Sequence, residues 1–191
     1  MEKDQIIKVI IDAFKDEKYP GDSNIVYDNS GTHLECEQVK EAFTGQLWEK
    51  LHENFLFENR TALSFFSKEG FKYFIPAFMI FSAKKFHEAD DTPDILIGEF
   101  TLPLEIDSII LANSIKQYRI DKQISSIDFE DVLQNQLEQN NNNVHRFFEY
   151  MNVFNKNQKS VIKEFLEYMI KYTDSLYYNP ITAIERYWFQ F

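Results

Sequence analysis

A chain of 191 residues is long enough for one domain that buries roughly 70% of its unfolded surface. A formal net charge of −11 argues against a general nucleic-acid binder, whose phosphate contacts need a basic footprint. Only 5 Gly and 5 Pro leave little punctuation, which favours helices over a many-turned sandwich, while 19 Phe and 10 Tyr forecast an aromatic core.

The first helix is expected to start after Asp4, with Ile6, Ile7, Ile10, Ile11 and Phe14 as its apolar stripe. Glu2, Lys3 and Asp4 open the chain without the apolar run of a signal peptide. Tyr-Pro-Gly-Asp at 19–22 reads as a tight turn, and the stretch to Gly31 as a surface loop. Thr32 with Glu35 three residues on reads as a capping box, so a short helix should turn Leu34, Val39 and Phe43 or their neighbours inward. Gly45 marks a break, and a helix from about Glu53 carries Phe55, Leu56, Asn59, Leu63 and Phe66 at helical spacing.

That helix leads into the element expected to organise the fold. Ser67 is placed as an N-cap and Glu69 puts negative charge on the first turn. Phe71, Phe74, Ile75 and Phe78 follow helical spacing, and Tyr73, Ala77, Ile80 and Phe81 fill the other side. A helix apolar all round is a buried one, and Lys72, Lys84 and Lys85 mark its burial as inside protein. Pro76 removes a backbone donor and should kink the helix, at a cost of about 3 kcal/mol that neighbours must offset.

Beyond residue 89 the pattern changes. Phe100, Leu102, Leu104 and Ile106 alternate with polar residues, but Pro103 forbids a central strand, so an extended connector is expected. Residues 109–120 read as a helix, and Ser126 as the cap of another running through Val132 and Leu137 into a polar loop at 140–143. Asn155 with Gln158 is a second capping box, ahead of the stripe Val161, Ile162, Phe165, Leu166, Met169 and Ile170. Asn179-Pro180 starts a last helix, and the chain end with Tyr187, Trp188, Phe189 and Phe191 should dock on the core.

Several of these runs together resemble a bacterial domain-of-unknown-function family. They are Tyr-Pro-Gly-Asp at 19–22, Phe-Thr-Gly at 43–45 with Trp48, Ala-Leu-Ser-Phe-Phe at 62–66 and the run 70–78 from Gly70 through Pro76 to Phe78. Asn157-Gln158-Lys159 with Ile162, Phe165 and Leu166, and the closing Tyr187-Trp188, match the family's C-terminal part. The stretch 89–143 is longer and more acidic than the resemblance implies. What it implies is a small, mostly helical cytosolic protein, and it supplies no activity.

Motifs for chemistry are sparse. Among His33, His52, His87 and His145 there is no H-E-x-x-H, and a lone Cys36 excludes a thiolate zinc site of the deaminase kind that His33-Leu34-Glu35 echoes. His87-Glu88 with Asp90 and Asp91 reads more readily as a solvated helix end than as a cation site. The same single cysteine fits a reducing, cytoplasmic setting and a buried residue rather than a nucleophile. Arg60 is expected to pair with a buried carboxylate or with carbonyls freed by Pro76, and Trp48 to plug the core beside Gly45. No cofactor, metal or membrane segment is expected.

The distribution of charge is more telling. Between residues 85 and 116 there is no Lys or Arg, while Glu88, Asp90, Asp91, Asp94, Glu99, Glu105 and Asp107 all fall there. The expected fold is all-α: one irregular bundle over 1–191, of about seven to nine helices around a buried, proline-kinked central helix, with the acidic segment 89–143 set apart. The expected function is a non-catalytic interaction protein that binds a basic protein partner through Asp90, Asp91, Asp94 and Glu99; an immunity-type inhibitor of a basic toxin fits that description. The alternative is a small enzyme or metal-binding protein with a His/carboxylate site.

Overall fold

The computed structural model describes residues 1–119 and 128–191. Nine α-helices run through the described residues: α1 (Lys3–Phe14), α2 (Leu34–Phe43), α3 (Glu53–Glu58), α4 (Lys68–Lys84), α5 (Thr92–Glu99), α6 (Glu105–Gln117), α7 (Phe129–Met151), α8 (Lys156–Met169) and α9 (Pro180–Arg186). Short 3-10 turns link several of them, and among the described residues there is no strand, only an isolated bridge between Val26 and Phe66. The chain is all-α, as its composition suggests. By internal packing it forms two compact units, one of Met1–Thr101 with Tyr150–Phe191 and one of Leu102–Glu149.

In the first unit, α4 is the central element. Ser67 caps it by accepting the Gly70 N–H at 3.0 Å, and twelve of its seventeen residues are buried. Phe74, Ile75 and Phe78 have no exposed surface at all. The helix runs from Lys68 to Lys84 with Pro76 inside it; proline has no N–H, so the Lys72 carbonyl lacks its partner one turn on. Phe43 from α2 meets Phe74 and Phe66 at centroid distances of 4.9 Å each, in edge-to-face contacts worth about 0.5–1.5 kcal/mol beyond burial. Across the helix Phe71 leads to Phe100 (6.2 Å) and Phe100 to Trp188 (5.6 Å), whose indole N–H donates to the Phe100 carbonyl at 2.7 Å. Tyr187 and Trp188 of the chain end are therefore docked, as expected, while Phe189 is 65% exposed.

A polar knot joins α1, α4 and α8. Asn155 and Gln158 form the expected reciprocal cap, and the fully buried Gln158 then donates to Glu17 at 2.6 Å and to the Ala13 carbonyl at 3.3 Å. Lys72 completes it with a 2.9 Å ion pair to Glu17. No side chain of this knot is left without a partner.

Several expectations are corrected. The cap of α2 is His33, whose Nδ1 accepts the Cys36 N–H at 3.4 Å, rather than Thr32; with that phase Cys36, Val39 and Phe43 turn inward and Leu34 faces solvent. Ile11 is likewise exposed, because only Ile6, Ile10 and Phe14 of α1 face α4 and α8. The helix from Glu53 ends at Glu58 and tightens into a 3-10 turn over Arg60–Ser64, where the backbone is drawn toward the bridge at Phe66. An unexpected helix, α5, starts beside Thr92-Pro93, a proline in a first turn where its missing N–H costs nothing.

The second unit holds the largest correction. Residues 140–143 are not a loop but the middle of α7. Phe129, Leu133, Leu137, Asn140, Val144 and Phe147 lie on the less exposed side at helical spacing, and Asn140 is itself buried, so the period continues through the asparagines. The α6 helix starts at Glu105, earlier than expected, because the Asp107 carboxylate accepts the Leu104 N–H at 2.9 Å. The extended connector before it is present at 102–104. Ile120 and the Ser126 cap lie outside the described residues.

Candidate functional site

The turn into α5 is built by Asp90, whose φ of 54° lies in the left-handed region that Asp and Asn tolerate best among residues with a Cβ. The Asp91 carbonyl accepts the Ile95 N–H, and the Ala89 carbonyl the Thr92 N–H, which starts the helix. Arg60 reaches over from its 3-10 turn and closes on both exposed carboxylates, with Nε on Asp91 and a terminal nitrogen 3.6 Å from Asp90. Its other terminal nitrogen donates to the Phe57 carbonyl at 3.0 Å, and the guanidinium lies 5.0 Å from the Phe57 ring centre. Held on three sides, Arg60 fixes the two aspartates rather than leaving them to swing in solvent. A buried carboxylate was the expected partner; the two it finds are both exposed.

Asp94 and Glu99 sit deeper. The Asp94 carboxylate accepts the backbone N–H groups of Tyr177 at 2.6 Å and Tyr178 at 3.0 Å, and Glu99 accepts the Ser64 hydroxyl at 3.1 Å. The Tyr178 ring packs over Gly98, where a Cβ would stand 3.0 Å from it. Tyr177 is left 84% exposed. The structure thus brings the sequence-predicted Asp90, Asp91, Asp94 and Glu99 onto one short helix and its entry turn, and adds Tyr177 and Tyr178. Sequence reasoning missed the two tyrosines; the pair standing immediately before the Asn179 cap was the available signal.

Six of the seven carboxylates in the base-free window have partners: Glu88 with Lys85 at 3.8 Å, Asp90 and Asp91 with Arg60, Asp94 with two amides, Glu99 with Ser64 and Asp107 with the Leu104 amide. For Asp90, Asp91, Asp94 and Glu99 the partners come from distant parts of the chain, while Glu88 and Asp107 are met three residues away. Glu105 alone has no hydrogen bond or ion pair among the described residues.

The remaining candidates are dispersed. His33 Nε2 lies 3.0 Å from the Tyr27 hydroxyl, and its Nδ1 faces the Cys36 amide, not the buried thiol. His87 packs edge-on against Phe86 and Tyr172, His145 stands 3.7 Å from Glu149, and His52 precedes α3 without capping it. Among the described residues no three of His, Cys, Asp and Glu gather where they could hold a metal ion, and no helix is long and apolar enough to cross a membrane. Trp48 is buried beside the break, as expected, and burial raises the neighbouring Tyr73 above its ordinary pKa, opposed by the Trp48 backbone amide. A groove of about 310 Å³ runs between α1, residues 48–56 and α4, floored by Trp48, Ala77, Ile80 and Phe81 and rimmed by Glu49 and Lys84.

Neither the curated proteins nor the solved structures include a match to this chain. A family model does match, over residues 2–105. That span holds the runs at 19–22, 43–48, 62–66 and 70–78 and reaches through all of α5, while the C-terminal runs at 157–166 and 187–188 lie beyond it. The chain belongs to this family, a family of unknown function designated DUF6714.

Proposed function

We propose that the protein is a non-catalytic interaction protein that binds a basic protein partner through the surface formed by Asp90, Asp91 and Tyr177. The observation that carries this reading is the double amide bond from Asp94 to Tyr177 and Tyr178, which plants an 84% exposed tyrosine beside the acidic entry to α5. Aromatic anchors beside fixed charge are what protein interfaces favour: the ring supplies contact area and the carboxylates steer approach. Clamping by Arg60 supports the reading further, since pre-ordered carboxylates lose less entropy when a partner arrives. An inhibitor of a basic toxin is one case of such a protein. The setting proposed for it is the bacterial cytoplasm, supported by the resemblance of its motifs and by a single, buried cysteine.

A photo-reactive amino acid placed at Tyr177 tests the proposal in cells of the source organism, with the same group at the exposed Leu34 as control. The expected result is one adduct with a basic protein from position 177, absent from position 34 and reduced by Asp90→Asn with Asp91→Asn. No adduct at 177, or the same adducts from both positions, would remove the support for this surface.

A further inference from the structure

We infer that α6 is a self-association surface, on which a second copy of this chain docks antiparallel to the first. The helix buries Ser108 and Ala112 on one side. On the opposite side Ile106, Ile109 and Ile110 are 48%, 40% and 55% exposed. Successive residues turn by about 100°, so these three share a stripe centred away from the buried side. A cluster of β-branched apolar side chains in water is unfavourable, and burial against a partner relieves that cost.

What selects a second copy as the occupant is the charge pattern on that same face. Glu105 and Lys116 stand about three turns apart, on the same edge of the isoleucine stripe. When two α6 helices face each other about a two-fold axis at Ile109 and Ile110, each edge keeps its side and reverses its direction. Glu105 of one copy then lies opposite Lys116 of the other, and the pair forms twice. In a parallel arrangement the two edges exchange sides without reversing direction, so Glu105 and Lys116 would not meet. Glu105 is the one carboxylate of the acidic window with no partner among the described residues. Lys116 is held 4.8 Å from the Phe129 ring centre, which fixes its stem and leaves it without an ion pair among the described residues. One helix of 13 residues supplies less than the roughly 800 Å² per partner of a standard interface. The association is therefore weak and depends on concentration.

Sedimentation of the full chain over a concentration series tests this. A monomer–dimer equilibrium is expected, with Glu105→Lys and Lys116→Glu each weakening it about tenfold and the double exchange restoring it. An independent reading comes from Ile110→Cys, expected to form a disulfide-linked dimer on mild oxidation. Leu111→Cys, exposed on the helix flank, serves as its control, and the native Cys36 is buried and takes no part. A chain that stays monomeric up to about millimolar concentration, a double exchange that fails to restore the dimer, or equal cross-linking at 110 and 111 would each overturn the inference.

Discussion

Gly70 lies so close to Ile25 that a Cβ added to it would stand 2.1 Å from the Ile25 carbonyl oxygen. That approach lets the segment before the bridge lie across the start of α4, where the Ser67 N–H donates to the Ile25 carbonyl at 2.9 Å and the Ser67 hydroxyl to the Asn24 carbonyl at 2.5 Å. Two effects oppose each other in Gly70→Ala. Helix propensity gains about 1 kcal/mol, while the clash is with backbone and cannot be relieved by a rotamer. The clash wins, so Gly70→Ala should destabilise by about 2–3 kcal/mol, read as a lower urea midpoint at unchanged slope. A neutral or stabilised variant would show that the contact is not as close as described.

Gln158 provides a second test, because one side chain serves three acceptors and donors at once. It returns the cap to the Asn155 N–H at 3.1 Å and also holds Glu17 and the Ala13 carbonyl. Gln158→Ala removes half of the cap and leaves a half-buried Glu17 with Lys72 alone. The expected loss is about 2–3 kcal/mol, below the 3–5 kcal/mol expected of Phe78→Ala at the fully buried centre of α4. The reverse order in denaturant would mean that the polar knot, not the aromatic core, dominates stability.

How far the sequence speaks follows from the range of each interaction. Ser67 and the phenylalanines of α4 are local signals at helical spacing, and so is the Asn155–Gln158 cap; all of these are present as read. The asparagines of α7 misled because composition outweighed period, although the stripe from Phe129 to Phe147 passes through Asn140 without a change of phase. The acidic residues of α5 were visible as a run, but their partners were not. Arg60 stands 31 positions away from Asp91 and Tyr177 83 positions from Asp94, and no local pattern encodes such pairs. For the same reason the seven carboxylates looked unbalanced in sequence and are mostly partnered in space.

Alkaline pH should expose a different weakness. Burial raises the pKa of Tyr73 above its ordinary value, opposed by the Trp48 N–H and aided by nearby Glu49. Tyr19, edge-on to Tyr73 at 5.5 Å, is raised first by burial and then by its bond to Asp22, and Tyr168 is raised by burial. The unfolded chain therefore releases these phenolic protons at lower pH than the folded one. Their contribution is complete below about pH 10 and is lost as pH rises through the raised folded values. The urea midpoint should fall above about pH 10, and less steeply for Tyr73→Phe. Parallel alkaline limbs for the two proteins would show that Tyr73 does not titrate against folding.

The proposed binding surface makes its own prediction, because Asp90 and Asp91 differ in task from Asp94. Asp90→Asn with Asp91→Asn removes charge while keeping a residue that tolerates a φ of 54°, so the fold should survive. Asp94→Ala removes the acceptor of two backbone amides and should cost about 1–2 kcal/mol, with faster hydrogen exchange at Tyr177 and Tyr178. With the partner cross-linked at position 177 in hand, the two variants should split kinetically. Loss of the exposed charges slows association, by about tenfold at low salt and by little near 0.5 M, where charges more than about 5 Å apart are screened. Loss of the Asp94 tether leaves the encounter rate alone and speeds dissociation, because Tyr177 must then be ordered on binding. If the asparagine variant instead alters dissociation equally at low and high salt, Asp90 and Asp91 act through contact rather than steering, and the electrostatic part of the proposal falls while the aromatic anchor stands.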